Sequence, residues 1–269
     1  MRNLKLIVSY DGTGYAGWQV QPDSPTIQGT LASAIGRITG EKVLPQGSGR
    51  TDAGVHALGQ VVTFATESPV PPANFVKALN DILPAAVRVL SAEEMTPEFH
   101  ARKSARAKTY RYRIFRGAIC SPFVARYVWH FPYPLEEDAM AAAAGVVVGE
   151  HDFTSFAAVD AERGKGFNHE GHPSTPLRAG SGSLRNPDLL NVRSIFSSAW
   201  HREGDEFVYT VWGAGFLHHM VRNLVGTFIL VGKKTLAVDD VKRILEARER
   251  SAAGATAPAG GLCLMSVEY

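Results

Sequence analysis

Leu4, Leu6 and Val8 alternate with polar neighbours up to Tyr10, the two-residue period of a half-buried strand. From Thr26 to Thr39 the period changes. Ile27, Leu31, Ala34, Ile35 and Ile38 make one helical stripe, with Thr26 placed to cap it and Gly40 to end it. Val43–Gln46 and Gln60–Thr66 read as short strands on either side of a glycine-rich turn. Phe75–Ile82 reads as a helix stopped near Pro84, and Val87–Ala92 as a strand. The order β-α-β-β-α-β is the split βαβ, or ferredoxin-like, plan.

After residue 100 the plan recurs with additions. Lys108–Phe115 alternates, Tyr110 and Tyr112 on one side, Arg111 and Arg113 on the other. Leu135–Val148 reads as a helix with an acidic first turn, and Gly149 to Phe156 as a structural turn closing it. Residues 157–188 are polar and rich in Gly, Ser and Pro, which predicts a long surface loop. Leu190–Trp200 and Glu206–Ala214 are strands joined at Gly204-Asp205. Phe216–Val231 and Val238–Arg248 are helices, and Cys263–Tyr269 is a closing strand. The predicted fold is therefore α+β. Two ferredoxin-like halves, 1–100 and 101–269, pair into one long antiparallel sheet, with helices on one face and a central cleft. A site is expected in that cleft.

Composition narrows the classes. A chain of 269 residues, 45% of them apolar, can bury a sizeable core and is not disordered. The best apolar run, Leu224 to Val231, is interrupted by Gly226 and Thr227 and is too short to span a bilayer. The chain opens directly into a strand, without a signal-peptide pattern, and Cys120 and Cys263 lie far apart. Both points predict reduced thiols and a cytoplasmic protein. Net charge is only +2, yet Arg102, Lys103, Arg106, Lys108, Arg111, Arg113 and Arg116 follow one another without an acid. That clustering predicts a basic face suited to phosphates. There is no CxxC and no HExxH, and His169 with His172 is a weak pair, so no metal is predicted.

The chemistry concentrates in Gly47-Ser48-Gly49-Arg50-Thr51-Asp52-Ala53-Gly54-Val55-His56-Ala57. Its glycines mark a tight turn or a close approach. Arg50 and Asp52, two apart on an extended segment, project to one side, and an Arg beside an Asp favours the ionised carboxylate. The same pair also occurs as plain turn structure, Asp capping and Arg covering. The stretch matches neither GxxxxGK[ST] nor GxGxxG. Asp11 to Trp18 is a second glycine-rich loop whose aromatics suit either a plain connection or the rim of a nucleic-acid cleft. His218, His219 and Arg222 fall within one turn of the predicted helix. The preferred reading turns Arg222 toward Asp52 or a backbone phosphate, with the histidines in support.

Gly49 to Ala57 resembles the active-site motif of the TruA family of tRNA pseudouridine synthases. Tyr10-Asp11-Gly12-Thr13-Gly14-Tyr15-Ala16-Gly17-Trp18-Gln19 is similar to that family's first motif. So, in their places, are His100 to Arg102 with Lys108 to Tyr112, Asp152 to Phe156, His218 to Asn223 and Ala257 to Leu262. The likeness runs from Tyr10 to Tyr269 except in the long loop, where Ser174 to Arg178 matches only loosely. The resemblance implies that Asp52 is the catalytic carboxylate, oriented by Arg50, and that Arg222 belongs to the site. It further implies that Tyr110 and Leu262 hold the target base, and that Arg102, Lys108 and the rest of the basic stretch grip tRNA. It implies a homodimer isomerising uridine at positions 38 to 40 of the anticodon stem-loop, without cofactor or metal. Whether Asp52 acts as nucleophile or as base on the ribose stays open. From the residues alone, the alternative is a non-catalytic RNA-binding module in which Asp52 is expendable. A nucleotide-phosphate enzyme lacks its lysine and carboxylates.

Overall fold

The computed structural model describes residues 1–158 and 191–269; the predicted 157–188 loop lies outside them except for its first two residues. Leu4, Leu6, Val8 and Tyr10 are buried and their neighbours half-buried, so β1 (Arg2–Tyr10) has one core face. α1 (Ile27–Thr39) keeps its predicted stripe. The Thr26 hydroxyl accepts from Gly29 N–H, and Gly40 ends the helix at φ 75°. The strand expected at Val43–Gln46 shrinks to β2 (Gln46–Gly47), because Pro45 has no N–H for a ladder and Leu44 is exposed. β3 (His56–Thr66) is longer than predicted and starts at His56. α2 (Pro72–Ile82) also begins earlier, since Pro72 at the first helical position sacrifices no hydrogen bond. β4 is Val87–Met95.

The second half supplies β5 (Ala107–Phe115), β6 (Trp129–His130), α3 (Glu137–Val146), β7 (Gly149–Asp152), β8 (Val192–Glu203) and β9 (Glu206–Gly213). α4 (Met220–Gly232), α5 (Asp240–Ala247) and β10 (Leu262–Glu268) follow. Gly149–Asp152, predicted as a turn, is a strand paired with β8. α4 starts four residues later than predicted, because His219 is left-handed at φ 59° and cannot continue a helix backwards. His218 and His219 therefore precede the helix.

All these strands form one ten-stranded sheet in the order β4-β1-β3-β10-β5-β9-β8-β7, with β2 on β3 and β6 on β5. The sheet is mixed rather than wholly antiparallel. β10 runs parallel to β3 through Cys263↔His56 and Leu264↔Ala57, and β6 runs parallel to β5. That parallel pair sets the starts of β3 and β10 side by side. The segments leading into them, the Asp52 loop and Pro258 to Gly261, are thereby brought together. A Cβ at Gly54 would lie only 3.3 Å from Ala259 Cβ. One apolar cluster joins Ile27, Leu31, Phe75 and Leu79 of the first helices to Met140, Leu224 and Phe228 of the later ones through the sheet. α4 is buried almost all round.

Candidate active site

The Asp52 loop is braced from beneath. Ser48 N–H donates to Val61 O at 2.8 Å and the Ser48 hydroxyl to Gln60 Oε1 at 2.7 Å. Gln60 Nε2 returns a bond to Gly49 O at 2.9 Å. The Tyr10 and Thr51 hydroxyls meet at 2.9 Å, and burial pushes the Tyr10 phenol up to about 12. From the other side the Asp11–Trp18 loop clamps it, Trp18 N–H donating to Thr51 O at 3.0 Å. Gly12 and Gly17 are required for that approach. A Cβ at Gly12 would sit 2.1 Å from Val55 O, and one at Gly17, itself at φ +97°, 2.7 Å from Thr51 O. The backbone around Asp52 is thus set by hydrogen bonds and contacts from two other segments.

Across the cleft, Arg222 stands in the first turn of α4. Its Nη1 donates to Asp52 Oδ2 at 2.8 Å and its Nε to Ala257 O at 2.7 Å. Both side chains are mostly covered, 14% and 18% exposed, so the charge-assisted contact is only weakly screened. His219 Nε2 lies 3.3 Å from Asp52 Oδ2 and His218 Nε2 3.5 Å from Oδ1. Burial lowers the His219 pKa despite the opposing pull of Asp52, which favours the neutral ring. Among the described residues, Asp52, His218 and His219 are the one group whose His, Cys, Asp or Glu donor atoms converge closely enough to hold a metal. Next in sequence to Arg222, the buried Asn223 fixes the helix. It donates to Phe156 O at 2.7 Å and accepts from Thr256 and Arg250.

The other predicted site residues take different depths. Arg50 is exposed on the loop. Tyr110 is 7% exposed, edge-on to Phe216 with ring centres 5.0 Å apart, and its phenol is raised first by burial and then by the charges of Tyr10 and Asp52. Leu262, 6% exposed, opens β10 opposite Tyr112. Lys108 reaches under the loop and donates to Ser48 O at 2.7 Å. Burial, then the nearby Arg102, lowers its pKa to about 8.

Arg102, Lys103 and Arg106 are exposed and have no carboxylate partner among the described residues. The rest of the basic run is spent internally. Arg113 forms a two-bond pair with Glu206 at 2.5 and 2.6 Å, Arg116 pairs with Glu137 at 3.2 Å, and Arg111 approaches Glu203 at 3.9 Å. The predicted basic face is narrower than the run of seven cations suggested.

Sequence reasoning missed Phe216, Asn223 and the His56 junction. His56 Nδ1 accepts from Gly12 N–H at 3.1 Å and also lies 3.2 Å from Asp11 Oδ1, two contacts that ask for opposite protonation. Burial lowers the His56 pKa against the pull of Asp11, which favours the neutral ring, with Nε2–H donating to Arg126 O at 3.1 Å. The Tyr127 hydroxyl donates to Asp11 Oδ2 at 3.0 Å, joining a third segment to this junction. No local pattern could reveal bonds spanning 44 and 116 residues.

The chain matches the family model described as tRNA pseudouridine synthase over residues 6–102 and 182–269. Asp52, Arg102, Arg222 and Leu262 fall inside the matched parts; Lys108 and Tyr110 fall outside. It is 48% identical to a tRNA pseudouridine synthase A of Solibacter usitatus (strain Ellin6076), over all of both chains. It is 43% identical to one from Moorella thermoacetica, over 99% of each chain, and 41% identical to one from Pelobacter propionicus, over all of both. On this likeness, together with the Asp52 loop and its Arg222 partner, the chain belongs to the tRNA pseudouridine synthase family.

Proposed function

We propose that this protein isomerises uridine to pseudouridine in the anticodon stem-loop of tRNA, at positions 38 to 40, with Asp52 as the catalytic carboxylate. The observation that carries this reading is the Asp52–Arg222 contact at 2.8 Å, in a cleft where the carboxylate remains 18% exposed. The reaction breaks the C1′–N1 bond, turns the uracil and joins its C5 to C1′; the C5 proton leaves and N1 gains one. Atoms balance with no oxidant, nucleotide or metal. The carboxylate serves as nucleophile at C1′ or as base on the ribose. Arg50 and Arg222 orient it. The target nucleotide must leave its stack to reach it.

Tyr110 and Leu262 are assigned to the two faces of the flipped base, with Phe216 extending the aromatic wall behind Tyr110. Both assigned groups are nearly covered in the free protein, so base entry must displace what lies over them. Arg102, Lys103, Arg106 and Lys108 are assigned to backbone phosphates. Residues 1–100 and 101–269 are read as two halves joined through β10. The protein is further read as a cytoplasmic homodimer. Among the described residues no helix is long and apolar enough to cross a membrane.

The test is tritium release from tRNA carrying uridine tritiated at C5, with wild type and Asp52→Ala side by side. Joining C5 to the sugar must expel that label. Release by wild type and none by the variant, with tRNA still bound by both, is expected. Release by Asp52→Ala at the wild-type rate removes Asp52 from the chemistry. No release from either reduces the protein to an RNA binder.

A further inference from the structure

His218 and His219 are consecutive, and consecutive residues of a helix or strand do not face the same way. Here they do. The left-handed backbone at His219, φ 59°, swings the second ring beside the first, with centres 4.0 Å apart and planes 37° apart. A non-glycine residue in that region is strained, and such strain persists where the surroundings fix it. Its consequence is local: one ring nitrogen from each imidazole and one carboxylate oxygen converge within 4.8 Å of one another.

We propose that Asp52, His218 and His219 form a binding site for a late first-row divalent cation, Zn²⁺ above all, and that the bound cation blocks Asp52. Two imidazoles and a carboxylate are the donor set that borderline cations such as Zn²⁺, Ni²⁺ and Cu²⁺ prefer, whereas Mg²⁺ and Ca²⁺ favour oxygen alone. The spacing fits as well. Bonds of about 2.0–2.2 Å in a tetrahedral site separate neighbouring donors by about 3.3–3.6 Å. His218 Nε2 stands 3.5 Å from Asp52 Oδ1 and His219 Nε2 3.3 Å from Oδ2, so each ring lies at that spacing from one of the two carboxylate oxygens. The half-exposed His218, 44% accessible, has room to rotate and close the third edge.

Arg222 donates to Asp52 Oδ2, the oxygen nearest His219, so the cation takes Oδ1, the oxygen nearest His218, and the His219 ring turns from Oδ2 toward it on binding. The guanidinium beside it weakens binding by repulsion, so the site is reversible and not structural. Water fills the remaining position. A carboxylate so ligated can neither attack C1′ nor take a ribose proton. The cation therefore inhibits, which is consistent with a reaction that needs no metal. Cation binding does not depend on the isomerase reading; only the inhibitory consequence rests on it.

The experiment is a calorimetric titration of chelator-treated full-length protein with ZnCl₂, without RNA, on wild type, His218→Gln and His219→Asn. Asn tolerates the left-handed backbone, so the second variant keeps the local geometry. One ion per chain is expected, with affinity at least about tenfold weaker in each variant, as losing even an outer-shell partner of a metal costs that much. Co²⁺ in place of Zn²⁺ should show visible absorption that disappears in both variants and on tRNA addition. Absence of binding by wild type, or binding unchanged in the variants that remain folded by circular dichroism, overturns the proposal. Failure of tritium release would count against the isomerase reading and leave the binding result standing.

Discussion

Lys108 places one buried charge against the loop that carries Asp52. Its ammonium has three donors and, among the described residues, one acceptor, Ser48 O, under the Asp52 loop. With its pKa lowered to about 8, it loses charge in mildly alkaline solution. If it holds a phosphate, tRNA affinity falls as pH passes about 8, and Lys108→Arg, which keeps its charge, removes that fall in a filter-binding titration. Lys108→Met should reduce the salt slope of binding by about 0.7–0.9, the value of one phosphate contact. Stability carries the same signature. The unfolded chain holds this proton up to about its ordinary 10.5 and the folded chain only to about 8, so between them the unfolded state binds more protons. Stability from this group therefore rises with pH across that window, and melting of Lys108→Met should lack that rise. Asn223, beside Arg222, has the opposite character. It meets Phe156, Arg250 and Thr256 and does not contact Asp52. Asn223→Leu should cost on the order of 3 kcal/mol in denaturant unfolding, because it strands several buried polar partners.

At the scale of elements, the two glycine-rich loops behave as one unit. Gly17→Ala adds a methyl against the Thr51 carbonyl at a left-handed position, so it should destabilise by about 1–3 kcal/mol and lower turnover more than tRNA binding. Equal losses in both would show that the clamp supports the whole cleft and not Asp52 alone. His56 gives this junction a pH dependence. Burial holds its pKa below the ordinary value, so between the two values the unfolded state binds more protons. Stability from His56 is complete above the ordinary value, about 6.5, and is lost as pH falls below it. Thermal melting from pH 7 to 5.5 should fall less steeply in His56→Asn than in wild type, even though that variant starts lower.

At the scale of the molecule, the last strand is the central one. β10 lies between β3 and β5, and Tyr269 reaches back to donate to Ala101 O at 2.8 Å. Both strands flanking β10 carry site residues or lead from them, Tyr110 on β5 and the Asp52 loop before β3. Deleting residues 262–269 should therefore abolish the cooperative unfolding transition, not merely lower its midpoint. A truncated chain that still melts cooperatively near the wild-type temperature would show that the halves are independently stable. Because the sheet closes only when the C-terminus docks, its long-range pairings favour slow folding.

Much of this was legible in sequence, because periodicity and turn chemistry are local. β1, α1 and the site's loop could be read from a dozen residues each, and α1 ends at its predicted cap and glycine. Misplaced boundaries also had local causes, Pro45 at β2, Pro72 at α2 and the left-handed His219 before α4. The motif around Asp52 pointed to the family. The sequence left Arg222 facing either Asp52 or a backbone phosphate; tertiary structure decided for Asp52 and added the two histidines beside it. Arg222 is 170 residues away; β10, parallel to β3, carries Ala257 and its neighbours to the same end of the sheet, where Ala257 O accepts from Arg222 Nε. Which of seven adjacent cations stay exposed was likewise undecidable from order, since Glu206 and Glu137 reach Arg113 and Arg116 from other elements. Local sequence determined the elements and the Asp52 loop; long-range packing decided which charges meet, because Coulomb and hydrogen-bond energies depend on distance in space, not along the chain.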